Sequence, residues 1–127
     1  MDTLTKRILC VEDNKDSREM MKVMLSLSDS SYDITTVETA AEALDLHGRG
    51  QFDLYVLDIS LPGMDGMDLC RRIRERGSKK PIMFFSAMVR PTDRDYCLAA
   101  GADAFLVKPA DLEIFPSTVA RLLAENS

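Results

Sequence analysis

Phe52–Gly66 reads F-D-L-Y-V-L-D-I-S-L-P-G-M-D-G, and this stretch decides the fold. Leu54 to Leu57 is an apolar run bounded by polar residues and too short for a helix. A run of that kind marks a strand buried on both faces, as in a parallel sheet. Asp58 follows where such a strand emerges. Leu61-Pro62-Gly63 then breaks the chain ahead of a helical pattern from about Met64. An acidic side chain at the carboxyl end of a central strand sits where open α/β sheets carry their chemistry. Taken alone, Asp58 reads equally well as an exposed loop aspartate, and the other strands must decide.

The same alternation recurs along the chain. Arg7 to Val11 reads as a first strand ending at Glu12-Asp13-Asn14, and an apolar stripe of Met20, Met21, Met24, Leu25 and Leu27 predicts a helix over about Lys15 to Leu27. Most of the eight methionines fall at such core or helix-face positions, where Met is a common gap-filler. Tyr32 to Val37 reads as a second, weaker strand. Thr39 with Glu42 is a capping box, opening a helix that runs to about His47 and is stopped by Gly48 and Gly50. The helix after Asp58 is expected to reach about Arg76 and stop at Gly77. Pro81 to Phe85 is a fourth strand ending at Ser86-Ala87, and Pro91 fits the first turn of a fourth helix that Gly101 ends after Ala100. Ala104 to Val107 is a fifth strand ending at Lys108-Pro109. The last helix occupies Asp111 to Glu125, where Pro116 predicts either a short turn at Asp111 to Phe115 before the helix proper or a kink. Five alternations mean a parallel sheet with helices on both faces, and right-handed crossovers favour strand order 2-1-3-4-5.

At 127 residues, the chain is expected to be one α/β domain with a core of its own. A net charge of -5 is a poor start for binding nucleic acid directly, which needs a basic patch. No secretory signal and no membrane-length apolar run is visible. Cys10, Cys70 and Cys97 are odd in number and contain no C-x-x-C, which argues for reduced thiols in a cytoplasm and against a disulfide frame or zinc site.

The strand ends carry the chemistry. Strand one delivers Glu12 and Asp13, strand three Asp58, strand four Ser86 and strand five Lys108. In a parallel sheet these share one edge, so the five side chains can converge. Carboxylates brought together repel, and a hard cation such as Mg²⁺ relieves that with oxygen ligands. The Ser60 carbonyl, two residues past Asp58, offers a backbone oxygen. One carboxylate then suits nucleophilic attack on a phosphoryl group, with Lys108 and Ser86 on its oxygens. Asp58 is the better nucleophile because it is central. Each residue also has a plain reading: Glu12 and Asp13 as helix caps, Ser86 as a loop serine, Lys108 as a surface lysine. All four strand ends carrying suitable chemistry by chance is the less economical reading.

These residues make the sequence resemble the receiver domain of two-component response regulators over essentially its full length. The matching features are Glu12-Asp13, Asp58 with L-P-G-M-D-G, Ser86-Ala87, A-G-A-D-A-F at Ala100 to Phe105, and Lys108-Pro109. The resemblance implies a flavodoxin-like domain and a signalling switch rather than an enzyme acting on a separate substrate. It implies that Asp58 accepts the phosphoryl group, and that Glu12, Asp13, Asp58 and the Ser60 carbonyl serve Mg²⁺. Lys108 then pairs with the phosphoryl group, Ser86 is the switch hydroxyl, and Phe105 is the aromatic that swings inward in concert. A cis Lys108-Pro109 bond is implied as well. The donor would be a phosphohistidine on a sensor histidine kinase or histidine phosphotransfer protein, and the acyl phosphate would be lost by hydrolysis. A downstream protein would read the repacked surface of the fourth helix, fifth strand and fifth helix. Ser60 and Met88 stand at positions that vary among such domains and tune hydrolysis. Pro116 bears on the last helix of the signalling surface.

Three rivals are weaker. An aspartate-nucleophile phosphatase of the haloacid dehalogenase type wants a second Asp where Ser60 stands. A dinucleotide-binding domain wants a glycine-rich phosphate loop after strand one. A receiver-like interaction module that works without phosphorylation leaves the intact acidic, Ser and Lys set unused. His47, the single histidine, is expected on a helix surface and not as a phosphodonor. With no output domain after the last helix, a stand-alone receiver is the expectation.

Overall fold

All four residues of β3 (Leu54–Leu57) are buried, as a strand covered on both faces requires. The computed structural model describes residues 5–87 and 90–126, so Met88, expected beside the phosphoryl position, lies outside the described residues. β3 lies between β1 (Arg7–Val11) and β4 (Ile82–Ser86) in a five-stranded parallel sheet. β2 (Asp33–Val37) and β5 (Ala104–Val107) form its edges, giving the order β2-β1-β3-β4-β5. This is the flavodoxin-like architecture that the alternation predicted.

Alternate strand residues feed two cores. Leu9, Val11, Tyr55, Leu57, Ile82 and Phe84 meet the buried faces of α2 (Ala40–Arg49), α3 (Gly66–Glu75) and α4 (Asp93–Ala100). Ile8, Cys10, Leu54, Val56, Met83 and Phe85 meet α1 (Lys15–Ser28) and α5 (Phe115–Glu125). Met21 and Met83 are core residues, and Met20, Met24, Met64 and Met67 pack against the two clusters.

Helix ends depart from the sequence reading in three places. α2 runs through Gly48 and stops only at Gly50. α3 starts at Gly66 rather than Met64, because the Asp65 side chain caps it by accepting from the Asp68 amide at 2.9 Å. Pro91 precedes the first turn of α4, whose N-cap is Thr92. At the last helix the first alternative holds: a 3₁₀ turn (Leu112–Ile114) leads into α5, with Pro116 in the first turn, where its missing N–H costs nothing. Gly101 closes α4 at φ 117°, a left-handed conformation that favours glycine.

Candidate functional site

The ladder hydrogen bonds continue past the strands and fix the site's backbone. The Glu12 amide donates to the Val37 carbonyl (3.0 Å), that of Asp58 to Val11 (3.1 Å) and that of Lys108 to Ser86 (2.9 Å). Three chain-distant residues are therefore set in one row at the carboxyl edge of the sheet. Ser86, expected just beyond β4, is its last residue and pairs with Val107. The Lys108–Pro109 peptide is cis.

The row carries a cluster of polar side chains. Glu12 and Ser86 are 2% exposed and Asp58 8%, whereas Asp13 is open to solvent. Asp58 Oδ1 accepts from the Ser86 hydroxyl at 2.8 Å and from the Ser60 amide at 3.2 Å. Its Oδ2 takes no hydrogen bond among the described residues. Glu12 divides its oxygens: Oε2 accepts from the Asn14 amide at 3.0 Å, and Oε1 pairs with the Lys108 ammonium. Lys108 also lies 5.5 Å from the centroid of the Phe85 ring, within cation–π range.

Glu12, Asp13 and Asp58 each present a carboxylate oxygen, and these atoms lie within 4.8 Å of one another. Three carboxylates face one ammonium, so the formal charge of the cluster matches one divalent cation. Cys10 packs into the core cluster with Met21 and Leu25, where burial, reinforced by the Glu12 carboxylate, pushes its thiol up to about 12. The donor set is hard oxygen, which fits Mg²⁺. Ser60 lies in the same turn and is exposed.

Phe105 is buried, packed in the cluster that contains Leu57 and Phe84. Its position on β5, paired with Phe84 of β4, lies two residues before the strand register that carries Ser86. Cys70 and Cys97 are buried and free, as is Cys10.

Sequence reasoning missed three features. Lys108 pairs with Glu12 within the cluster. Gly66 abuts the site from the start of α3: a Cβ there would meet the Asp58 carbonyl oxygen at 1.9 Å. Its place in the D-G that closes the opening stretch was the available signal. His47 is not an idle surface histidine, since its Nδ1 lies 2.6 Å from the buried Tyr55 hydroxyl. Burial, then the nearby Arg76 charge, holds its pKa below the usual histidine value.

A flavodoxin-like sheet with an acidic, hydroxyl and lysine cluster at its carboxyl edge defines a signalling receiver. The family model for the response regulator receiver domain matches residues 8–120, and the chain belongs to that family. Response regulator MprA of Mycobacterium sp. (strain KMS) is 36% identical over 121 residues, covering 95% of this chain and 52% of the relative. The MprA of Mycolicibacterium vanbaalenii is 37% identical over 121 residues with the same coverage, 95% and 52%. The chain thus spans about half the length of these relatives. Among solved structures, response regulator TrrA of Thermotoga maritima in complex with Mg²⁺-BeF superposes with a TM-score of 0.80 at 32% identity, covering 92% of this chain and 98% of that one. A CheY-like receiver domain protein of Methanospirillum hungatei gives a TM-score of 0.88 at 26% identity, with 96% of each chain covered. Among the described residues, no helix is long and apolar enough to cross a membrane.

Proposed function

We propose that this domain is a phosphorylation-dependent switch in which Asp58 takes a phosphoryl group from a phosphohistidine of a sensor kinase or phosphotransfer protein. One observation carries the reading. The buried Asp58 carboxylate has one oxygen held by Ser86 and Ser60 and the other without a hydrogen bond among the described residues, in a cluster shared with Glu12, Asp13 and Lys108. In the transfer, an Asp58 oxygen attacks phosphorus as the P–N bond breaks, and that bond's electron pair returns to the imidazole. The product is an acyl phosphate on Asp58. A divalent cation held by Glu12, Asp13, Asp58 and the Ser60 carbonyl supplies charge neutralisation when bound. Lys108 leaves Glu12 for the new phosphoryl oxygens, and Ser86 moves its hydrogen bond onto one of them. Hydrolysis of the acyl phosphate resets the domain, so the only chemistry is on itself.

The output is a change of packing. Phosphorylation adds about two negative charges at Asp58. Ser86 and Phe105 hold their positions together on β4 and β5, and the surface formed by α4, β5 and α5 is the face offered to a protein partner. Tyr96 on α4 (57% exposed) and Ile114 just before α5 (47%) give it apolar contact area. We read the chain as a single domain without direct nucleic-acid contact of its own.

The test uses phosphoramidate, a small donor with a P–N bond. Phosphate-affinity electrophoresis is expected to show one retarded, Mg²⁺-dependent band that is absent in Asp58→Asn. A band that survives in Asp58→Asn rejects Asp58 as the acceptor.

A further inference from the structure

Arg18, on the first turn of α1, reaches back over the acidic turn. Its Nη1 donates to the carbonyl oxygens of both Glu12 and Asp13, each at 3.0 Å. Its Nη2 pairs with Glu38 Oε1, also at 3.0 Å. The Arg18 side chain is 14% exposed, while that of Glu38 is 60% exposed. Two consecutive peptide groups are thereby held from one guanidinium nitrogen while the other is anchored on Glu38, and lysine, with a single nitrogen, has no second one for that anchor. The Asn14 carbonyl closes the turn by accepting the Arg18 amide at 3.0 Å.

The grip matters most for Asp13. Its side chain is exposed and makes no hydrogen bond of its own among the described residues. Only the backbone therefore aims its carboxylate at Glu12 and Asp58. We propose that Arg18 is a positioning residue for the metal: it holds the β1–α1 turn so that Glu12 and Asp13 face a divalent cation together. The inference rests on the cation site proposed above, but not on phosphoryl transfer.

The sign of the effect separates this role from plain electrostatics. A guanidinium beside a cation site repels the cation, so its removal on charge grounds alone tightens binding. Removal of a positioning group loosens it, because Asp13 must be ordered when the metal arrives. Outer-shell partners of this kind typically change metal affinity by about 10–100-fold.

Isothermal calorimetry of Mg²⁺ binding to the full chain, without phosphodonor, tests this. Arg18→Gln is expected to raise the dissociation constant about tenfold or more, and Arg18→Lys by an intermediate factor. Glu38→Gln keeps both carbonyl contacts, and its effect is expected to stay below about fivefold. In phosphorylation assays, Arg18→Lys is expected to raise the half-saturating Mg²⁺ while the rate at saturation recovers. Equal or tighter Mg²⁺ binding by a natively folded Arg18→Gln or Arg18→Lys overturns the proposal, as does wild-type protein that binds no Mg²⁺. Wild type that binds Mg²⁺ but never gains a phosphoryl group removes the phosphoacceptor reading and leaves the role of Arg18 standing.

Discussion

The Ser86 hydroxyl donates to Asp58 Oδ1 at 2.8 Å, so the last residue of β4 grips the Asp58 carboxylate at the end of β3. Phe105 is buried at the same time. Ser86→Ala removes a buried hydrogen bond to a charged acceptor, and such bonds contribute about 1.5–3 kcal/mol. The variant is expected to lose stability in that range, read as a lower urea midpoint in metal-free buffer. An unchanged midpoint means that this bond adds nothing.

Lys108 and Glu12 form a pair with side chains only 10% and 3% exposed. Removing one partner of a buried pair strands the other charge, at a cost of about 3 kcal/mol or more. Lys108→Ala is therefore expected to unfold markedly earlier than wild type. With the proposed cation site, added Mg²⁺ is expected to narrow the difference, because without the Lys108 ammonium the cation meets three uncompensated carboxylates and stabilises the variant more than wild type. Thermal melts with and without Mg²⁺ read both effects, and equal melting of variant and wild type contradicts them.

Gly66 is held for want of space. With a Cβ 1.9 Å from the Asp58 carbonyl oxygen and 3.1 Å from the Phe84 ring, either β3 or the start of α3 must shift. Gly66→Ala is expected to cost about 1–3 kcal/mol and to slow phosphorylation, since the same shift moves Asp58. Denaturant unfolding and a phosphorylation time course check the two halves. An alanine variant normal in both contradicts the packing.

His47 confers pH dependence at the far edge of the sheet. Its folded-state pKa is depressed from 6.5, chiefly by burial, so the unfolded chain binds the proton more readily. Its contribution to stability is full above about pH 6.5 and is lost as pH falls below that value. The stability lost between pH 7.5 and 5.5 is expected to be smaller in His47→Gln than in wild type. An equal loss in both proteins assigns the effect to other groups.

Much of this molecule is legible in its residues. β3 declared itself because a strand covered on both faces must be apolar throughout, and Asp58 marked its end. The five convergent residues followed from parallel topology, which puts every strand's carboxyl end on one edge. Helix boundaries were less legible. Asp65, and not the break at Pro62-Gly63, caps α3, while Gly48 is tolerated inside α2 because the helix is held by its buried face. The Lys108–Glu12 pair and the Arg18 clamp join residues whose nearness depends on rotamers and crossing elements. Nothing in linear spacing encodes either one. Gly66 was visible, but its reason, the closeness of the Asp58 carbonyl, exists only in three dimensions.

The central claim is that Asp58 becomes an acyl phosphate. Borohydride reduces an aspartyl phosphate to homoserine, so peptide mass spectrometry after treatment with acetyl phosphate, Mg²⁺ and borohydride reads the acceptor directly. Homoserine is expected at position 58 alone, and only when both acetyl phosphate and Mg²⁺ were present. Homoserine at another aspartate, or an unaltered Asp58 after full treatment, would contradict the claim.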